Sequence, residues 1–394
     1  MYRMGEEEVR RVRKVIQSGR MFRYYEGAEC ARFEKDWARH VGVKHARLTT
    51  SGTTALYAAL VGLGIGPGCQ VIVPSYTYMA TALAVLAAGA IPVVADVDES
   101  LTLSPKDLER RITRHTRAVI PVHMVGLPCD MDKIMRIARR HKLLVVEDAC
   151  QAVGGGYKGK KLGNFGHATG FSFNFFKNIS AGEGGGFVTN DERAFLRGSV
   201  AVDCCAYYWN PEDKREDLQF AGHNFRANEF SGALLNVQLG RLADMLKRMR
   251  SHKQELLEVG IQAGLRSIKN NSLEHECGTH LGFCFRNEKT ARAFCDHLRA
   301  QKVGAFLPMD TGRHVYTRWD PILRYQGAHH PALDPFKIPA NKKCRVRYTK
   351  GMCQDSLDIL NRAVLIGMHP DHTRSRIGQL ARAIGGGAKA VAGN

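Results

Sequence analysis

No apolar run in this chain is long enough to cross a bilayer uninterrupted. The longest, Met79 to Ala95, is broken by Gly89 and Pro92 and is short of the ~20 residues a membrane helix needs. The first residues, Met1 to Gln17, lack the apolar core of a secretory leader and carry Glu6, Glu7, Glu8, Arg10, Arg11, Arg13 and Lys14 instead. Cysteine is present but without order: eleven copies, an odd count, no C-x-x-C pair, and Cys204 adjacent to Cys205. That pattern fits neither a disulfide framework nor a zinc site. The expectation is a reducing cytoplasm, with no membrane partner and no metal.

Acidic residues are the real shortage, since 38 Asp and Glu face 57 Lys and Arg for a formal charge of +19. Such a balance admits nucleic acid, an anionic surface or an anionic small substrate as partner. The basic residues come in small scattered groups, such as Arg110-Arg111, Arg139-Arg140, Lys158 to Lys161, Arg248 to Lys253 and Lys342 to Lys350. No RNP, zinc-finger or basic-zipper pattern accompanies them. A solvated basic surface or attraction of phosphorylated or carboxylated substrates accounts for the charge, and no nucleic acid partner is expected.

What is present in quantity is ordinary: 44% apolar and 24% charged residues over 394 positions, enough for two domains or one large α/β domain with an appendage. Short apolar runs at Gln70 to Pro74, Ile91 to Val97, Ala118 to Val125, Leu143 to Asp148 and Ala168 to Phe173 read as buried strands. Amphipathic stretches such as Thr53 to Leu63 and Pro105 to Thr113 separate several of them. This alternation predicts a mainly parallel sheet with covering helices. Its ligand belongs at the C-terminal strand ends. After Arg226 a long helical segment runs to about Leu257, followed by a second α/β unit with a strand at Leu281 to Phe285 and a helix over Glu288 to Gln301. The expected organisation is an N-terminal arm and helix over 1–30, a large domain over 31–250 and a small C-terminal domain over 251–394, with a frayed glycine-rich tail from about 385.

Lys177 stands alone between the aromatic stretch Phe171 to Phe176 and the glycine-rich Gly182 to Gly185. An apolar wall depresses an amine's pKa, and glycines let backbone approach a ligand, which suits a Schiff-base lysine. A lysine snorkelling at the surface has the same local sequence. Three further features fall at strand ends or helix starts. Ser51-Gly52-Thr53 precedes a helix and is either a cap or a phosphate-binding turn. Asp148, ending the Leu143 to Asp148 strand, either caps a helix or pairs with a cationic ring nitrogen. Tyr78 in Pro74-Ser75-Tyr76-Thr77-Tyr78 either stacks on a flat cofactor or covers core.

Taken in order, the Ser51-Gly52-Thr53 turn, Pro74 to Tyr78, Glu147-Asp148-Ala149-Cys150-Gln151-Ala152, Ser172 through Gly185, and Gly222-His223-Asn224-Phe225-Arg226 resemble the DegT/DnrJ/EryC1/StrS sugar aminotransferases. The resemblance runs from about Phe33 to Leu239 and continues more loosely beyond. It implies a fold-type I enzyme dependent on pyridoxal phosphate, with a mainly parallel seven-stranded sheet, helices on both faces and a smaller C-terminal α/β domain. By the same resemblance, Lys177 forms the internal aldimine with the cofactor and later shuttles a proton, and Asp148 keeps the pyridine nitrogen protonated so that the ring is an electron sink. Tyr78 stacks on the ring, Gln151 reaches its phenolic oxygen, and Gly52, Thr53 and Ser172 hold the phosphate. Asn224 reaches the phosphate of a neighbouring subunit's cofactor, which implies a homodimer with shared sites.

The implied reaction moves nitrogen from L-glutamate or L-glutamine, through a pyridoxamine phosphate form, to a keto or aldehyde carbon of a sugar. Burial of Lys177 among Phe173, Phe175 and Phe176 is expected to favour its neutral, attacking form. Some relatives are dehydratases with histidine in place of the lysine. Lysine here favours transamination, with a cofactor-dependent sugar dehydratase, or amination of a cyclitol or other non-nucleotide ketone, as the alternative. The family's usual Arg-Met ending reads Arg226-Ala227-Asn228-Glu229, and Ser199 to Gln219, with Cys204-Cys205 and Tyr207-Tyr208-Trp209, has no clear counterpart. Such an insertion often lines the acceptor site. Phe22-Arg23-Tyr24-Tyr25, His123-Met124-Val125-Gly126 and Phe306 to Trp319 are similar to the branch that aminates an acidic eight-carbon octulosonate. Arg23 is then either an anchor for the donor's carboxylate or the partner of an acidic residue. A nucleotide-linked keto sugar is the other substrate class.

Overall fold

The computed structural model describes residues 4–25, 27–204, 206 and 216–392. Tyr207, Tyr208 and Trp209 of the expected acceptor-lining segment lie outside the described residues, as does Cys205. The strands in chain order are β1 (His45–Thr49), β2 (Gln70–Pro74), β3 (Ile91–Ala95), β4 (Thr116–Val119), β5 (Leu144–Asp148), a small hairpin of β6 (Gly156–Tyr157) and β7 (Lys160–Lys161), β8 (Ala168–Ser172), β9 (Gly185–Thr189), β10 (Arg266–Ser267), β11 (His280–Cys284), β12 (Ala305–Phe306) and β13 (Ala363–Gly367). Seven of these form one sheet in the order β1-β9-β8-β5-β4-β2-β3. Only β9 runs against its neighbours β8 and β1; the β3, β2, β4, β5 and β8 pairings are parallel.

Both faces of the sheet are covered, and so β2, β3, β8 and β9 are buried at every residue. Neighbouring residues serve opposite faces, as strand alternation requires. Ile72 and Val145 join a core with Phe33, Trp37, Phe171 and Phe173, whereas Val71, Val73 and Val146 join another with Leu56, Ala59, Tyr316 and Trp319. In the first core Trp37 meets Phe171 and Phe173 edge-on at 5.0 and 5.5 Å, an arrangement that adds ~0.5–1.5 kcal/mol per pair beyond burial. Covering helices start where a short polar side chain can take up a free N–H: Ser51, Ser104, Asp130 and Asp191 each cap the helix that follows them.

Past the seven-stranded sheet, a 34-residue helix, Glu229–Gln262, packs along Glu29–Val41 and Glu6–Ser18 and reaches Arg374–Val391. Its start is fixed by Asn228 as cap, and the Glu229 carboxylate accepts the Glu29 and Cys30 N–H groups at the start of the Glu29–Val41 helix. Residue 250, where the sequence suggests a division, falls inside this helix. A second, antiparallel sheet, β10-β11-β13-β12, carries Glu288–Ala300 and Arg374–Val391 on a core of its own.

Two expectations are corrected. The strand expected over Ala118 to Val125 ends at Val119, because Pro121 has no N–H to give the ladder and Val125 turns to φ 49° in the short Met124–Gly126 helix. The tail expected to fray from 385 is helix to Val391. There Gly387 lies so close to the Phe294 ring that a Cβ would sit 2.9 Å away, and Ile384, Ala388 and Val391 are buried. Gly387 serves close helix packing. Among the described residues no helix is long and apolar enough to cross a membrane, and no group of His, Cys, Asp and Glu is arranged to hold a metal.

Candidate active site

A cavity of about 700 Å³ opens at the C-terminal ends of β2, β5 and β8. It is lined by Gly52, Thr53, Tyr78, Asp148, Gln151, Ser172 and Lys177, seven of the eight residues singled out in the sequence. The eighth, Asn224, is exposed, pairs backbone-to-backbone with Asp203, and does not line the cavity of its own chain.

At the start of the Gly52–Gly62 helix, the cap and phosphate readings coexist. Ser51 Oγ accepts the Thr54 N–H at 3.2 Å, while the N–H groups of Gly52 and Thr53 have no acceptor among the described residues. Free N–H groups at a helix start, where the dipole is positive, suit a phosphate. Glycine is required at 52, since a Cβ there would stand 2.7 Å from Cys150 Sγ and 2.8 Å from Ser172 Cβ. The turn is thereby pressed onto β8, beside the Ser172 hydroxyl.

Asp148 is almost fully buried at the end of β5. Thr81 Oγ1 donates to its Oδ2 at 2.7 Å, and the Cys150 N–H donates to Oδ1 at 3.1 Å. Thr81 in turn shares a 2.7 Å bond with the Thr77 hydroxyl. The adjacent Glu147 faces the other side of the sheet and accepts N–H groups of Gly163, Phe165 and Gly166 at 2.8–2.9 Å and the His123 ring at 3.1 Å. Burial pushes the Glu147 carboxyl up, yet the His123 bond and the Gly166 and Gly163 N–H groups hold it below the ordinary carboxylate value. Neighbouring acids in one strand thus have separate environments: Glu147 is locked by the fold, and Asp148 stands at the cavity.

Lys177 lies in a turn closed by its N–H on the Asn174 carbonyl at 2.9 Å, and Asn174 is held by Glu183 at 2.8 Å. Its ammonium has no hydrogen bond or ion pair among the described residues. The expected aromatic wall does not bury it: Phe176 lines the cavity with Lys177 but is 81% exposed, Phe175 is 43% exposed, and Phe173 packs into the core beside Phe33. The reason is that β8 ends at Ser172, so the alternation that buries Phe171 and Phe173 stops and the turn leaves the next two rings exposed.

Val125 joins the site to the second sheet. Its N–H donates to Gln151 Oε1 at 3.2 Å, and its carbonyl accepts Thr279 Oγ1 at 2.6 Å and His280 Nδ1 at 3.2 Å. A β-branched residue at positive φ is uncommon and is held by such surroundings. The Gln151 amide nitrogen is left for the cavity. Tyr78 is half exposed, with its ring 5.3 Å from that of His314. Arg23 is buried, and its Nη2 donates to both oxygens of Glu34 at 2.8 and 3.0 Å, while its Nε and Nη1 have no hydrogen-bond partner among the described residues. Of its two readings, the structural ion pair is the one found. Sequence reasoning missed Thr81, His280 and His314. Thr81 is close to Tyr78 in the chain but meets Asp148 from 67 positions away, and the histidines come from distant segments with no local signal.

An open sheet with a dry carboxylate at one strand end, free N–H groups at a helix start and an unpaired lysine between them defines the site of a fold-type I, pyridoxal phosphate-dependent enzyme. These residues fit that cofactor: Lys177 for its aldehyde, Asp148 for its ring nitrogen, Gly52, Thr53 and Ser172 for its phosphate. The chain belongs to the DegT/DnrJ/EryC1/StrS aminotransferase family, whose model matches residues 2–315. It is 46% identical over 220 residues to GDP-perosamine synthase of Caulobacter vibrioides, covering 54% of this chain and 57% of that protein. It is similar in structure to an aminotransferase from Psychrobacter cryohalolentis, at TM-score 0.81, 26% identity and coverage of 98% and 97%. It is likewise similar to DesV of S. venezuelae, solved with a ketimine intermediate, at TM-score 0.74, 29% identity and coverage of 97% and 94%. The alignments to the curated relatives span less than two thirds of those proteins' length.

Proposed function

We propose that this protein transfers an amino group from glutamate or glutamine to a keto or aldehyde carbon of a sugar. The observation that carries the reading is Lys177, an ammonium without a partner in the cavity that also holds the buried Asp148. The cofactor, when bound, supplies an electron sink for the carbon that loses or gains nitrogen. Asp148, fixed by the Thr81 hydroxyl and the Cys150 N–H, would hold a positive charge at the ring nitrogen. Lys177 would hold the cofactor through its aldehyde, and its amine is the group placed to move a proton at the reacting carbon. Gly52, Thr53 and Ser172 would hold the phosphate, and Tyr78 would cover the ring.

The relatives' printed names favour a nucleotide-linked sugar over an acidic octulosonate, since two of them are GDP-perosamine synthases. A homodimer with Asn224 completing the partner's site, and a cytoplasmic location, complete the proposal. Lys177→Ala is expected to lose both the yellow absorbance of bound cofactor and turnover; retention of both overturns the assignment. The dehydratase alternative predicts loss of water from the sugar without net transfer of nitrogen, which mass spectrometry of the product distinguishes.

A further inference from the structure

His280 and His314 reach the cavity from outside the main sheet, the first opening β11 and the second closing the short turn Gly312–His314. Each ring is fixed through Nδ1 by a main-chain carbonyl, His280 by Val125 at 3.2 Å and His314 by Thr311 at 3.1 Å. A carbonyl only accepts, so Nδ1 carries the proton in both rings, and Nε2 of the neutral imidazole is left as a lone-pair acceptor. Neither Nε2 has a hydrogen-bond partner among the described residues, and neither is a sealed, buried orphan. Burial lowers the pKa of both, that of His280 to about 4, and the charge of Lys177 lowers His314 further. Both rings are therefore neutral near pH 7. Neighbouring rings hold their orientation: Phe306 lies edge-on to His280 at 5.8 Å, and Tyr78 lies against His314.

The charged residues among the described lining are Lys177, Asp148 and Glu183, and no arginine joins them. We propose that His280 and His314 form the hydroxyl-recognising part of the acceptor subsite, each accepting an O–H from a hydroxyl of the sugar ring. The inference rests on the aminotransferase reading and adds the residues that orient the acceptor. A hydroxylated ring donates to each imidazole at no cost in charge.

The test measures the two half-reactions separately in single turnovers, on wild type, His314→Phe, which keeps a ring against Tyr78, and His280→Gln, which keeps a donor for the Val125 carbonyl. The ratio of acceptor to donor kcat/KM with an uncharged keto sugar is expected to fall about 10- to 100-fold in each variant, because a site built around a hydroxyl loses that much when the bond is removed. A substrate lacking the hydroxyl that meets His314 should lose a similar factor in wild type and little more in His314→Phe. An unchanged ratio in both variants overturns the proposal. Failure of the donor half-reaction in wild type overturns the aminotransferase reading itself, and with it this one.

Discussion

Thr81 and the Cys150 N–H decide what Asp148 can do. Each donates to one carboxylate oxygen, so the carboxylate is oriented before any ligand arrives. Gly52 acts at the same scale by having no side chain. Gly52→Ala would push a Cβ into Cys150 Sγ and Ser172 Cβ, and is expected to cost about 1–3 kcal/mol and to weaken cofactor binding by opening the phosphate turn. Urea unfolding of the apo protein and a cofactor titration check the two effects separately. Lys177 and Asp148 were legible because each sits in one of the ordered motifs shared with the family, at or just past a strand end. Thr81 was not read, since its bond to Asp148 spans 67 positions. Phe175 and Phe176 were misread, because local apolar character says nothing about the direction a turn takes after its strand has ended.

Strand alternation at β5 gives Glu147 and Asp148 opposite fates. The Cys129 N–H donates to Nδ1 of His123, so the ring proton is on Nε2, directed at Glu147. With three backbone N–H groups on the same carboxylate, this network ties β5 to the loop before β8. Glu147→Gln is expected to cost about 2–3 kcal/mol, since it leaves buried donors without a charged acceptor. The pH dependence follows from a folded pKa below the ordinary value: the stabilisation is complete above about 4.5 and is lost as the pH falls through the folded value. Urea midpoints should therefore decline on acidification below about 4.5, less steeply in Glu147→Gln. Strands β2, β5 and β8 and the helices Gly52–Gly62 and Glu288–Ala300 were readable from apolar runs and periodicity. The early end of β4 was missed although Pro121 marks it, and the ordered C-terminal helix was not readable because a glycine such as Gly387 takes its meaning from what packs against it.

Across the whole molecule, two sheets meet at one cavity, with Val125 the hinge of contact between them. The formal charge of +19 is not concentrated there, since the described lining carries one lysine and two carboxylates. Asn224, exposed and away from its own cavity, is where the proposed assembly can be tested. Lys177→Ala and Asn224→Ala, each inactive alone, are expected to regain activity when mixed and allowed to exchange subunits, to roughly a quarter of wild type for random pairing. No recovery despite verified exchange would mean that each chain builds its site alone.

The sequence by itself determined the sheet class, the lysine and the carboxylate, because strand periodicity and the residues at strand ends are local properties of the chain. Tertiary structure alone decided that Arg23 pairs with Glu34, that Phe175 and Phe176 stay exposed, and that His280 and His314 line the same cavity as Lys177. Those outcomes depend on which segments far apart in the chain are brought together, and on whether a polar atom meets a partner or a cavity once they are.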